Sequence, residues 1–73
     1  MSNDQIEAKV RVVAWLAKYR KRIDLTDAKF DIQEVRQNNI SVRVTLLEGT
    51  ETIMYRFKVD LRTEVGVYLL EVN

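Results

Sequence analysis

The hydrophobic period of this chain changes once, and that change constrains the fold more than any other feature. Up to Ile23 the apolar residues recur at helical spacing; from Ala28 onward they alternate with polar ones. Phe30 and Ile32 alternate with Lys29, Asp31 and Gln33, and Ile40, Val42, Val44 and Leu46 alternate with Ser41, Arg43, Thr45 and Leu47. Ile53, Tyr55, Phe57 and Val59 follow, then a last apolar run over 67–72. Four half-buried strands are predicted, at about 28–36, 40–47, 52–59 and 67–72.

The turns set the register. Gly49 and Thr50 suit a two-residue type II′ turn with glycine at its first central position. That turn pairs Leu46 with Ile53, Val44 with Tyr55, Val42 with Phe57 and Ile40 with Val59, all on one face. A slip by one residue would destroy this shared face. Glu48 then opposes Glu51 at the solvent end, a modest repulsion. Between the first two strands a three-residue loop over 37–39 is expected, with Asn39 left-handed, pairing Ile32 with Val44 and Phe30 with Leu46. Residues 60–66 read as a looser connection to a fourth strand whose register the sequence leaves open.

Ser2 and Gln5 fit a capping box and Asp4 adds favourable first-turn charge, so a helix is predicted over about 3–23. At ~100° per residue, Val12, Ile23, Leu16, Val13, Ile6, Ala17 and Val10 share one broad face, extended on one side by Trp15, Ala8 and Tyr19. That arc is wider than one small sheet covers. The expected fold class is α+β: one N-terminal helix packed on a four-stranded antiparallel meander, in one domain over 1–73.

Charge follows the same division. Residues 1–23 carry six basic groups against two acidic ones, and the remainder carries six against nine, so the overall +1 joins a basic element to an acidic one. The run Lys18, Arg20, Lys21 and Arg22 lies in the last turn, where complementing the negative end of the helix dipole accounts for part of it, and Arg11, Lys18 and Arg22 beside Trp15 are the part still needing a purpose. Two candidate interaction surfaces result. The first is Arg11, Trp15, Lys18, Tyr19 and Arg22 on the helix flank, where an indole among cations suits a partner protein or a stacked base. Its ordinary alternative is a Trp15 that covers the rim of the core. The second lies on the sheet face away from the helix: Val35, Arg43, Leu47, Met54, Arg56 and Lys58, with Leu69 nearby. There Arg43 opposes Arg56, and compensation comes either from Asp31 and Glu71 within the sheet or from an acidic partner.

No Cys and no His is present, which removes disulfides, thiolate or imidazole metal sites, and the commonest general base and thiol nucleophile. Asp24, Asp27, Asp31 and Glu34 form the one dense carboxylate group, in positions that are ordinarily solvated. With two glycines in all, no Gly-rich phosphate loop can be built. The expectation is a non-enzymatic protein with no cofactor, no metal and no small-molecule substrate. No stretch approaches the ~20 apolar residues of a membrane span and the first residues do not resemble a signal peptide, so a cytoplasmic location without membrane contact is expected.

Residues 55–72, YRFKVDLRTEVGVYLLEV, are similar in rhythm to the end of a PepSY domain, in which a strand reaches an Asp, turns through a Thr and a Gly, and resumes; here Glu64 and Val65 stand between Thr63 and Gly66. A meander holding one N-terminal helix resembles the cystatin-like arrangement. Neither likeness transfers a residue role. A chain this short has little stability to spare, and without a disulfide or metal its usual remedy is self-association. The expected function is a small protein-binding or assembly module, acting as a homodimer. Two alternatives stay open: a nucleic-acid-binding module using the basic helix stripe or basic sheet face, and a small inhibitor or adaptor of another protein.

Overall fold

The computed structural model describes residues 3–20 and 23–73. Ser2 of the capping box, together with Lys21 and Arg22, lies outside the described residues. The helix α1 runs Asn3–Tyr19, followed by β1 Lys29–Arg36, β2 Asn39–Glu48, β3 Glu51–Asp60 and β4 Val67–Val72. The four strands form one antiparallel sheet in the order β1-β2-β3-β4, which is the α+β meander that the two periods predict. No helix among the described residues is long and apolar enough to cross a membrane.

The β2–β3 hairpin has the expected register throughout, from Ile40↔Val59 to Leu46↔Ile53 and Glu48↔Glu51. Gly49 takes φ +67° at the turn, and a Cβ there would meet no atom within 4 Å, so its requirement is conformational alone. Ile40, Val42, Val44, Leu46, Tyr55, Phe57 and Val59 point inward and meet Ala8, Val12 and Leu16 of α1 in one buried core. At about 25 cal/mol per Å² of apolar surface, this layer is the main stabilising term.

Two expectations are corrected. The β1–β2 loop has two residues, Gln37 and Asn38; Asn39 already pairs with Arg36, and the positive φ (+52°) falls on Gln37. Phe30 therefore opposes Val44, not Leu46, and Ile32 opposes Val42, not Val44. A bulge at Gln33, between Ile32 and Glu34, absorbs the extra residue and keeps Phe30 and Ile32 on the core side. A second bulge, at Leu70, separates Arg56↔Glu71 from Phe57↔Leu69.

Helix α1 also ends four residues before Ile23. Arg20 N–H donates to the Leu16 carbonyl at 2.7 Å, and Ile23 N–H donates to the Arg20 carbonyl at 3.2 Å. The shorter helix lets Ile23, Leu25 and Ala28 reach the core from the connector, where Ile23 performs the packing expected of it on the helix. Asp24 shapes that connector by accepting from Thr26 N–H at 2.9 Å and Thr26 Oγ1 at 2.6 Å, which lowers its carboxyl pKa.

Candidate functional site

The helix flank next to the β3–β4 connection gathers four of the five residues of the first candidate surface. Arg11, Trp15, Lys18 and Tyr19 line a cleft of about 240 Å³ with Ala14, Glu64, Val65 and Val67. Arg22 lies outside the described residues. Trp15 forms the aromatic wall: its ring meets Phe57 edge-on at 5.1 Å and leans against Tyr19 at 4.9 Å. It is at once rim of the core and wall of the cleft. Lys18 Nζ stands 5.3 Å from the Tyr19 ring centroid.

Arg11 has a different duty. Nη1 donates to the carbonyls of Asp60 at 3.1 Å and Thr63 at 2.7 Å, while Nη2 meets Glu7 Oε2 at 3.3 Å one helical turn away. Its side chain is 18% exposed. These contacts fasten α1 to the 60–66 connection and engage three of the five guanidinium N–H donors within the protein. The same connection closes on itself through Asp60 N–H donating to Gly66 O at 2.7 Å, and Leu61 N–H ties it to the β1–β2 loop by donating to Asn38 O at 2.9 Å. Asp60 Oδ1 accepts from Arg62 N–H at 3.0 Å and from Arg62 Nε at 3.1 Å, and these bonds depress its pKa.

That depression has a readable consequence. A carboxyl whose folded pKa lies below its ordinary 3.8 stabilises the fold above that value and loses this contribution as pH falls through the folded value. Thermal stability is therefore expected to fall below about pH 4, and Asp60→Asn, which keeps an acceptor but no charge, should flatten part of that acid limb. A melting-temperature series from pH 6 to pH 2 on both proteins checks it; identical acid limbs would remove Asp60 from the account.

The outer sheet face carries most of the second candidate surface. Arg43 opposes Arg56 as the hairpin register requires, and each is drawn to a neighbouring strand, Arg43 Nη2 to Asp31 Oδ2 at 3.6 Å and Arg56 Nε to Glu71 Oε1 at 3.7 Å. Compensation is thus internal to the sheet, through half-exposed pairs worth at most about 1 kcal/mol each. Leu47, Met54 and Lys58 share this face, opposite Thr52, Thr45 and Ser41. Val35 does not: the Gln33 bulge places it opposite Ile40, on the helix side of the sheet. Leu69 likewise turns inward against Phe57, and Tyr68 stands outward beside Lys58 in its place. The carboxylates of the connector and β1 are dispersed. Asp24 caps Thr26, Asp31 faces Arg43, Glu34 pairs with Arg36, and no group of three potential metal ligands occurs among the described residues.

A further surface was not singled out from the sequence. Only one edge of the broad apolar arc, Ala8, Val12 and Leu16 with Trp15, faces the sheet. Ile6 (46% exposed), Val10 (61%), Val13 (38%) and the exposed Ala17 face away from it, with spacings of four, three and four residues along the helix. The signal was that 4-3-4 spacing, which on its own reads as one more part of the core face. A family-model scan and searches of curated proteins and of solved structures returned no match to this chain.

Proposed function

We propose that this protein is a small non-enzymatic protein-binding or assembly module that self-associates through the outward stripe of α1. The observation that carries the reading is the row Ile6, Val10, Val13 and Ala17, left open by a sheet that covers the other side of the helix. Such a row is ordinarily covered by another surface. A second support is area. The chain exposes 5181 Å², against about 4,700 Å² for a compact monomer of its mass. The excess, about 480 Å², is little more than half of the ~800 Å² that each partner of a standard interface buries, which suits a small, dissociable interface. The partner is itself or another protein, with no cofactor or small-molecule substrate, and the lack of Cys suits a reducing cytoplasm.

Self-association makes both mass and melting temperature rise with concentration. Val10→Glu is expected to weaken the dimer on the order of a hundredfold, about 2.7 kcal/mol, by putting a carboxylate into the seam. Because Val10 is exposed in the single chain, the variant monomer should keep its stability within about 0.5 kcal/mol. Light scattering from low to high micromolar concentration decides the matter. A wild-type protein that stays monomeric, with a melting temperature independent of dilution, would sink the proposal.

A further inference from the structure

Resting on that reading, we infer that two copies of α1 pair antiparallel, with the two-fold axis between Val10 and Val13. In that register Val10 of one copy meets Val13 of the other, and Ile6 meets Ala17. The spacing of the row matches the alternating three and four residues of a helix seam, over a 17-residue helix that spans roughly 25 Å. The occupant is a second copy because in the antiparallel orientation the stripe and its Glu7–Lys18 flank are self-complementary.

Charge selects that orientation. Asp4 and Glu7 stand in the N-terminal half of α1, Lys18 and Arg20 at its C-terminal end. At ~100° per residue, Glu7 and Lys18 fall on the same flank of the row. In an antiparallel pair the same flanks of the two helices meet, and Lys18 of each copy comes within about 3 Å along the axis of Glu7 of the other, at a 1.5 Å rise per residue. Two opposite-charge contacts result by symmetry. Glu7 is about half exposed beside Arg11, so one carboxylate oxygen can serve each cation. The parallel alternative loses these contacts. It also aligns the two helix dipoles side by side. A pairing of single helices buries an area at the low end of specific interfaces, so the dimer should dissociate on dilution rather than be permanent.

The absence of native Cys allows a direct test. Ile6→Cys and Ala17→Cys both replace exposed side chains, so both variants should fold, which circular dichroism verifies. The two purified variants are oxidised separately and as an equal mixture. The antiparallel pair predicts that the mixture gives predominantly the Ile6→Cys/Ala17→Cys cross-link, well above the half that random pairing yields, while each variant alone cross-links poorly. Efficient cross-linking of each variant with itself would show parallel helices, overturning this inference while leaving self-association through the stripe intact. No cross-link in a protein that light scattering shows to be dimeric would move the interface off the stripe and overturn it as well. A monomeric wild type would overturn both this inference and the reading on which it rests.

Discussion

Phe57→Ala is expected to remove about 3–5 kcal/mol of folding stability, out of a total of about 4–11 kcal/mol for a chain of this length. Phe57 is fully buried on β3, opposite Val42 on one side and Leu69 on the other. Its ring stacks on Tyr55 at 6.1 Å and makes a T-shaped contact with Trp15 at 5.1 Å. It thus bridges the helix, both neighbouring strands and the cleft wall. A single helix over a single sheet has no second layer to collapse into the void, so relaxation recovers little of the loss. Denaturant unfolding followed by the fluorescence of Trp15 measures it directly. Val65→Ala, at a residue exposed on the cleft rim, provides the comparison, with an expected change below about 0.5 kcal/mol. A Phe57→Ala loss as small as that would contradict the packing described.

How far such features could be read beforehand depended on whether one local rule decided them. The β2–β3 register was legible because a glycine turn and strict alternation agree: a one-residue slip splits the apolar residues of the two strands between opposite faces, and the turn rules out a two-residue slip. The β1 register was not. Its bulge falls at Gln33, within the polar run Gln33 and Glu34, where an extra residue leaves no apolar signature, and this moved Val35 across the sheet. The compensation of Arg43 and Arg56 by Asp31 and Glu71 was legible once strand order was assumed. The role of Arg11 was hidden, because its acceptors are backbone carbonyls 49 and 52 residues away. In the helix, the width of the apolar arc was visible, and so was its surplus. Which part would remain outside was decided by Trp15 packing on Phe57, a contact that turns Ala8, Val12 and Leu16 inward and Ile6, Val10 and Val13 outward.

Gly66→Ala should be nearly as damaging as the loss of a core aromatic ring, about 3 kcal/mol, although residue 66 has no side chain to lose. Its backbone takes φ +52°, where an L side chain costs about 1–2 kcal/mol. A Cβ there would also lie 2.1 Å from the Asp60 carbonyl oxygen and 2.5 Å from Thr63 Oγ1. The carbonyl is backbone and must give way, and it is the same oxygen that accepts from Arg11 Nη1. Displacing it therefore breaks the closure of the 60–66 connection and loosens the anchor of α1 together, at about 1 kcal/mol for each hydrogen bond lost. This shared oxygen makes the damage non-additive. Arg11→Met removes the anchor while keeping much of the stem, and the double variant Arg11→Met/Gly66→Ala should be more stable than the sum of the single losses implies, by more than about 0.5 kcal/mol. Equilibrium unfolding of the four proteins closes the cycle. Strict additivity would mean that the loop and the helix anchor are independent, and that Arg11 holds the helix through Thr63 and Glu7 without help from Asp60.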